Sequence, residues 1–278
     1  MKNESGSDIV STHVVVRDGT RIGYSLHGAQ DSAARVVLLH SLAMDRGFWQ
    51  PVIEQLAPHA AVLAIDCRGH GASDKPAGPY TVAQFAQDVR DVTASLAFDH
   101  VLVAGASMGG CVALQFAASY PETTRALGLI DTTAWYGETA PHDWNVRVEK
   151  AEKEGLAPLV GFQSTRWFSD AFRAARTDVL QRCVDTFLRN EVPAFAATGR
   201  MLGAFDGRAL LAGVRVPTCV IVGEEDYAAP PAMAQALHDG IAGSTLTVIP
   251  AARHLTPLET PDVVAGELLD LLDRSARA

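Results

Sequence analysis

The sequence predicts an α/β fold with a mostly parallel central sheet flanked by helices. Short runs of β-branched and aliphatic residues alternate with helical stretches over the first half of the chain. A long helical segment without strand-like runs follows, and two further apolar runs come after it. This alternation is typical of strand–helix–strand units in a parallel sheet with one insertion.

The predicted sheet begins with an antiparallel hairpin. Asp18-Gly19 separates two β-rich runs, at residues 14–16 and 22–24, and is a strong turn signal. Three later runs are continuously apolar, as expected of strands that are covered on both faces: residues 36–39, 61–65 and 101–104. Residues 127–130 are read as a further core strand, and strand signals return at residues 218–222 and 245–249.

The segments between and after the predicted strands are predicted to be helical. Residues 81–96 are helical in character with Thr81 as N-cap, and a last helix is predicted over 262–272 after Pro261. Residues 135–205 show only helical periodicity. We therefore predict a helical cap, residues 134–205, inserted into a core made of residues 1–133 and 206–278.

Composition and charge narrow the class of protein. Of the 278 residues 48% are hydrophobic and 20% are charged, which is enough to form a folded core. The net charge of −9 argues against nucleic acid or an anionic membrane as partner. Residues 1–8 are polar and lack the apolar region of a signal peptide, and no apolar run approaches the roughly 18 residues of a membrane span. A cytoplasmic protein is the resulting expectation, and its oligomeric state is left open.

The cysteines point to neither disulfides nor a metal site. Cys67, Cys111, Cys183 and Cys219 are scattered and show no metal-ligand spacing with one another or with histidine. We expect buried thiols in a reducing compartment. No metal and no organic cofactor is expected.

Gly105-Ala106-Ser107-Met108-Gly109 matches the Gly-x-Ser-x-Gly pattern of a nucleophile on a sharp strand-to-helix turn. It stands between a predicted strand and a helical stretch. Glycines two residues either side of the serine let backbone segments pass closely, and the helix N-terminus favours developing negative charge. We predict that Ser107 is a catalytic nucleophile.

A serine nucleophile needs a base, and the base needs an orienting acid. In this arrangement the chain order is Ser, then Asp or Glu, then His. Asp226 and His254 satisfy this order, and each follows a predicted strand. Glu224, Glu225 and Asp131 remain alternatives for the acid.

Two further histidines near predicted strand ends are given structural roles. His40 closes a core strand and is expected to brace a loop, and His70 is expected in a structural turn. The oxyanion of the reaction requires backbone N–H donors. We predict these donors at Met108, the residue after the nucleophile, and at Leu42 in the loop after the third strand.

These residues and motifs resemble the α/β-hydrolase superfamily along nearly the whole core. Within it the chain is most similar to the 3-oxoadipate enol-lactonases. The signs of the superfamily are Leu39-His40, Asp66-Cys67-Arg68-Gly69-His70-Gly71-Ala72-Ser73, the Ser107 motif, Gly223-Glu224-Glu225-Asp226, and His254 with Glu259-Thr260-Pro261. The signs of the enol-lactonases are Leu39-His40-Ser41-Leu42, Arg166-Trp167-Phe168, Pro217-Thr218 and Ala251-Ala252-Arg253-His254-Leu255.

The resemblance implies a serine hydrolase that opens an enol lactone in aromatic catabolism through an acyl-enzyme. Trp135, Arg166 and Trp167 are the predicted substrate contacts. Any of the cap arginines Arg147, Arg166, Arg173 and Arg200 could pair with a substrate carboxylate or lie on a solvated helix face.

Other functions for the same residues stay open. They are a general carboxylesterase, a carbon–carbon bond hydrolase, a cofactor-free perhydrolase and a non-catalytic receptor for small molecules. In each case the expected partner is a small molecule. For the enzymes the first expectation is an ester or lactone substrate.

Overall fold

The computed structural model describes residues 12–277 and contains an eight-stranded sheet in the order β1-β2-β4-β3-β5-β6-β7-β8. Strand β2 pairs antiparallel with β1 and β4, and all other pairs are parallel. The strands are β1 Thr12–Val15, β2 Arg21–His27, β3 Arg35–Leu39, β4 Ala61–Ile65, β5 Val101–Ala106, β6 Thr124–Ile130, β7 Thr218–Gly223 and β8 Thr245–Ile249. The predicted hairpin and parallel sheet are confirmed. The polar segment 1–8 lies outside the described residues.

Helices cover the sheet and fill the segment between β6 and β7. Thr81 accepts a hydrogen bond from the Gln84 N–H, so the predicted N-cap is confirmed. The helices are α1 Gln50–Leu56, α2 Val82–Ser95, α3 Met108–Ser119, α4 Ala140–Glu154, α5 Val160–Trp167, α6 Asp170–Ala175, α7 Thr177–Leu188, α8 Val192–Ala204, α9 Arg208–Leu211, α10 Pro231–Gly240, α11 Thr256–Glu259 and α12 Pro261–Arg277. Over the described residues, none of these helices is long and apolar enough to span a membrane.

The central strands are buried on both faces, as their continuous apolar pattern requires. Strands β4, β5 and β7 have no exposed residue, and the sheet forms the centre of the hydrophobic core. Because β3 and β5 to β8 run parallel, their carboxyl ends meet at one edge of the sheet. Open α/β sheets bind their ligands at this edge.

The predicted helical segment contains α4 to α8 and one short 3₁₀ turn, Ala157–Leu159. Helices α4 and α8 pack closely because α8 carries glycine at the contact. A Cβ atom on Gly199 would lie 2.6 Å from the Val148 side chain, and one on Gly203 would lie 3.0 Å from Trp144. The division into a core and a cap of residues 134–205 stays a prediction.

Candidate active site

Ser107 lies on a strained turn between β5 and α3. Its φ of 54° and ψ of −116° are rare for a residue with a side chain. A Cβ on Gly105 would lie 2.0 Å from the Gly109 carbonyl oxygen, and one on Gly109 would lie 2.1 Å from that of Leu39. The two motif glycines are therefore required by contact between backbones, and they hold the serine at the sheet edge.

Ser107, His254 and Asp226 form one hydrogen-bonded line. His254 Nε2 lies 2.9 Å from Ser107 Oγ, and His254 Nδ1 lies 2.7 Å from Asp226 Oδ2. The three residues are 6%, 6% and 2% exposed. Because a carboxylate accepts hydrogen bonds, the Nδ1–H donates to Asp226, and Nε2 is left to accept the serine proton. This is the arrangement that general-base activation of a serine requires.

The Asp226 carboxylate is held in place from its other side. Its Oδ1 accepts hydrogen bonds from the backbone N–H groups of Ala228 at 2.7 Å and Ala229 at 2.9 Å. These two donors occupy one oxygen and leave the other for His254. The loop after β7 therefore fixes which oxygen faces the imidazole.

The charges around His254 favour its protonated form. Burial of the imidazole opposes protonation, but the charge and hydrogen bond of Asp226, with a smaller contribution from Asp131, outweigh it. Arg166 acts in the opposite direction. The net effect raises the pKa of His254 above its ordinary 6.5. The surroundings of the imidazole therefore stabilise its protonated form.

The two glutamates considered as alternatives to Asp226 have other partners. Glu224 accepts a hydrogen bond from the backbone N–H of Ala251 at 3.0 Å. Glu225 accepts one from the Arg253 guanidinium at 3.3 Å. Neither hydrogen-bonds to the imidazole, so Asp226 is the acid that the geometry favours over these neighbours.

Asp131, the third alternative, is fully buried and also bonds elsewhere. Its carboxylate accepts hydrogen bonds from the Gly223 N–H at 3.2 Å and from the N–H and hydroxyl of Thr256 at 2.9 and 2.7 Å. It makes no hydrogen bond to His254. Asp131 therefore supports the backbone beside the acid and the base.

The two predicted oxyanion donors lie next to the serine. Met108 is the first residue of α3, where a helix leaves its N–H groups without intrahelical partners. Leu42 lines the same pocket as Ser107. Within residues 12–277 neither backbone N–H donates to another protein group. Both assignments stay predictions.

His40 and His70 are structural, as their sequence context predicts. The His40 Nδ1–H donates to the Ser41 carbonyl at 2.8 Å, and Nε2 accepts from the Cys67 N–H at 3.0 Å. The His70 Nδ1–H donates to the Arg68 carbonyl at 3.0 Å. Burial, together with the nearby His40, lowers the pKa of His70 to about 3, so this ring stays neutral.

The cysteine thiols are buried and free. Burial raises the pKa of Cys111, which lies one helical turn after Ser107, to about 11. Such a thiol is a poor nucleophile at neutral pH. In the part of the chain that the structure describes, no cluster of three or more His, Cys, Asp or Glu side chains is arranged to hold a metal ion.

A cavity of about 640 Å³ opens over Ser107 and His254. The sheet side contributes these two residues together with the loop after β3. The helical segment contributes a wall of aromatic and cationic side chains. Prominent in that wall are Tyr136, Trp144, Arg147, Lys150, Phe162, Arg166 and Trp167.

The structure places only two of the three predicted substrate contacts at the cavity. Arg166 and Trp167 line the cavity, whereas Trp135 does not. The Trp135 ring instead packs under the Arg208 guanidinium at 3.8 Å. Its neighbour Tyr136 lines the cavity in its place, while Trp135 forms an isolated antiparallel bridge with Asp206. Sequence reasoning missed Tyr136, which has no motif around it.

Two of the four arginines considered for a substrate carboxylate are already neutralised. Arg173 pairs with Asp170 at 2.6 Å, and Arg200 pairs with Glu152 at 2.8 Å. Neither arginine lines the cavity. These two therefore belong to the helix surfaces, where such pairs contribute little to stability.

Arg147 and Arg166 differ from that pair, because they face the cavity without an acidic partner among residues 12–277. Arg147 lies between the rings of Trp144 and Phe162, at 4.5 and 5.0 Å from their centres. Arg166 covers Phe162 at 4.5 Å and donates to the Tyr227 carbonyl at 3.1 Å. Burial, and then repulsion from Arg166, lower the pKa of Arg147 to about 10. An anion between the two guanidinium groups would relieve both effects.

One carboxylate and one ammonium group also reach this cavity. Asp143 lines it but accepts a hydrogen bond from the Thr139 hydroxyl at 2.7 Å, and it lies beyond ion-pair distance of Arg147. Lys150 adds a further positive charge. The cationic side chains therefore outnumber the acidic ones along this wall.

Comparison with known proteins agrees with this architecture. A family model described as the alpha/beta hydrolase fold matches residues 34–261. The chain is 29% identical to 3-oxoadipate enol-lactonase 1 of Acinetobacter baylyi over 92% of this chain and 94% of the relative. The enol-lactonase of Burkholderia xenovorans LB400 superimposes with a TM-score of 0.90 at 32% identity, covering 94% of this chain and all of that one.

An esterase is similar as well. The thermophilic esterase from Thermogutta terrifontis, solved with malate bound, has a TM-score of 0.88 and 25% identity. The alignment covers 95% of this chain and 98% of the esterase.

Proposed function

The chain belongs to the α/β hydrolase family, and we propose that it hydrolyses the ester or lactone bond of a small substrate that carries a carboxylate. The observation that carries the proposal is the hydrogen-bonded line from Asp226 through His254 to Ser107, which ends at the floor of the cavity. Its relatives named as enol-lactonases and as an esterase are consistent with this type of bond.

Acylation begins with Ser107. Its Oγ bonds to the carbonyl carbon of the substrate while its proton passes to His254 Nε2, 2.9 Å away. The carbonyl oxygen becomes an oxyanion, which the backbone N–H groups of Leu42 and Met108 would stabilise. When the intermediate collapses, the carbon–oxygen bond to the leaving group breaks, and that oxygen takes the proton from His254.

Deacylation repeats these steps with water. His254 takes a proton from a water molecule, the hydroxide bonds to the acyl carbon, and the bond to Ser107 Oγ breaks as the serine recovers its proton. Throughout, Asp226 keeps the Nδ1 proton in place and stabilises the imidazolium. In a lactone the leaving oxygen stays attached to the acyl group, so a single open-chain acid is released.

Two arginines of the cavity support the proposal that the substrate carries a carboxylate. Arg147 and Arg166 both face the cavity, and the part of the chain that the structure describes gives neither an acidic partner within 4 Å. Charge-assisted hydrogen bonds to a carboxylate are among the strongest polar contacts. A carboxylated enol lactone is therefore the substrate that we would test first, and the malate found on the related esterase agrees with an acidic ligand.

Hydrolysis of a small substrate panel tests the proposal. The panel consists of 4-nitrophenyl acetate and butyrate, a carboxylated enol lactone and its methyl ester, and a ring-fission diketone. Each is assayed with the wild type, with Ser107→Ala and with Ser119→Ala, an exposed serine of the same helix that serves as the control. We expect the free acid lactone to be preferred over its methyl ester, and turnover to be lost in Ser107→Ala alone.

Other outcomes would reassign the function. Turnover of neutral esters without lactone preference indicates a general carboxylesterase, and preference for the diketone indicates a carbon–carbon bond hydrolase. Oxidation of bromide with peroxide and acetate would indicate a perhydrolase. A wild type that binds these compounds and turns over none of them would be a receptor, and the proposal would be wrong.

A further inference from the structure

We propose that Asp131 is a positioning residue for the reaction, which joins the acid loop to the base loop and places a second negative charge beside the imidazole. This proposal rests on the proposed function. Nothing in the Ser–His–Asp arrangement itself requires a fourth buried polar side chain at this place.

The position of Asp131 is fixed by the sheet. It follows the last residue of β6, and its N–H donates to the Ile221 carbonyl of β7 at 2.8 Å. Its φ of 48° lies in the left-handed region, which residues with a side chain rarely adopt. The residue is completely buried. A strained, buried carboxylate persists only where surrounding contacts hold it in place.

Those contacts reach both loops of the site. Asp131 Oδ1 accepts from the N–H of Gly223, the last residue of β7 and three residues before Asp226. Asp131 Oδ2 accepts from the N–H and hydroxyl of Thr256, two residues after His254. One carboxylate therefore connects the backbone that carries the acid to the backbone that carries the base. A change in this connection would move His254 relative to Asp226.

The charge of Asp131 acts on the same imidazole. The charged groups that face His254 are Asp226 from the loop after β7, Asp131 from the end of β6 and Arg166 from α5. Both carboxylates favour the imidazolium, and the guanidinium opposes it. Burial, and then the charge of Asp226, raise the pKa of Asp131 itself well above its ordinary value, although His254 and the hydrogen bonds from Thr256 act in the opposite direction. The imidazolium that forms during acylation thus strengthens the anionic form of Asp131.

Two substitutions separate the connection from the charge. Asp131→Asn removes the charge and one acceptor oxygen. Thr256→Val removes a single hydrogen bond to Asp131 and leaves the charge. Thr198→Val is the matched control, because Thr198 is also completely buried but bonds within α8, to the Ala194 carbonyl. Folding of each variant is checked by circular dichroism and thermal unfolding.

The readout is the rate at which a 4-nitrophenyl phosphonate inactivates the enzyme between pH 5 and 9. This reagent reports the reactivity of Ser107 and His254 without knowledge of the natural substrate. For Asp131→Asn we expect a plateau rate about tenfold lower, since small displacements of a catalytic group cost up to about 100-fold. The decrease of the inactivation rate on the acid side of the pH profile should move to lower pH, because the loss of a negative charge lowers the pKa of His254. For Thr256→Val we expect a plateau rate about threefold lower, because only one hydrogen bond to Asp131 is lost. The pH at which the rate falls on the acid side should stay unchanged.

The outcomes discriminate between the two proposals. If the wild type reacts and Asp131→Asn matches it in plateau and in acid limb, the role of Asp131 is wrong and the proposed function stands. If Asp131→Asn does not fold, Thr256→Val decides, and equality with Thr198→Val overturns the role. A wild type that does not react with the phosphonate overturns the proposed function and this role with it.

Discussion

The two walls of the cavity differ in how their polar groups are satisfied. On the sheet side, Ser107, His254 and Asp226 hydrogen-bond to one another. On the helical side, Arg147 and Arg166 face the same cavity without an acidic partner among residues 12–277. The first wall is complete in itself, whereas the second is completed by what binds there. From this difference we propose that the bond-breaking chemistry belongs to the strand ends and substrate selection to the helical side.

Removal of the base tests the sheet-side wall most severely. We expect His254→Ala to lower kcat by about 10⁴-fold or more, because His254 Nε2 is the basic nitrogen that hydrogen-bonds to Ser107 Oγ. The fall in kcat is measured with 4-nitrophenyl acetate as substrate. His238→Ala is the control, since His238 hydrogen-bonds to Ser244 at 2.9 Å and does not line the cavity. A His254→Ala variant that retains a tenth of the activity would contradict the assignment of the base.

The acid is tested by Asp226→Asn. The N–H groups of Ala228 and Ala229 select the amide oxygen of the new side chain, so its NH₂ group turns to His254. His254 Nδ1 must then accept, and its proton moves to Nε2, where it faces Ser107. We expect a fall in kcat of about 10³- to 10⁴-fold from this wrong tautomer.

Glu224→Gln is the control for that experiment, because Glu224 is an exposed neighbouring acid bonded to Ala251. Both variants are compared by kcat for the same ester. If Glu224→Gln loses more activity than Asp226→Asn, the acid has been assigned to the wrong residue of the loop.

The sheet-side wall could be predicted from the sequence to a large extent, and the reason is local. The Ser107 motif needs glycine at both flanking positions because backbone segments touch there. Asp226 follows the buried strand β7, and His254 follows β8, whose Thr, Leu, Val and Ile residues are typical of a strand. Local sequence, strand pattern and chain order together bring these residues to one edge of the sheet.

The helical wall could not be predicted in the same way. Arg147 and Arg200 both stand in helices of the same segment, but Arg147 faces the cavity, whereas Arg200 lies outside it and pairs with Glu152, 48 residues before it. Trp135 and Tyr136 are neighbours, and which of them lines the cavity depends on a bridge to Asp206. These distinctions come from tertiary contacts that no motif records.

The substitution Arg147→Met tests whether the helical wall binds a substrate carboxylate. Methionine keeps an unbranched apolar side chain beside Trp144 and Phe162 but removes the guanidinium and its charge. For a carboxylated lactone we expect KM to rise about 10- to 100-fold, the equivalent of one or two hydrogen bonds to a charged group. The KM for 4-nitrophenyl acetate, which has no carboxylate, should stay unchanged.

Arg200→Met is the matched control, because it removes an equally long cationic side chain that is already paired with Glu152. Steady-state kinetics with the acid and with the neutral ester give the comparison. An equal rise in KM for both substrates in Arg147→Met would mean that the residue shapes the cavity and does not bind an anion.

The smallest expected effect joins the two walls, since it concerns the pKa of His254. Asp226 raises this pKa and Arg166 lowers it, with a net rise above 6.5. Only the neutral imidazole accepts the Ser107 proton, so kcat/KM should fall as pH decreases through this raised value. Replacement of Arg166 by methionine removes an opposing positive charge, raises the pKa of His254 further and should move the acid limb to higher pH by a fraction of a unit. A limb that moves to lower pH, in a pH profile of kcat/KM for 4-nitrophenyl acetate, would show that Arg166 does not act on the imidazole through its charge.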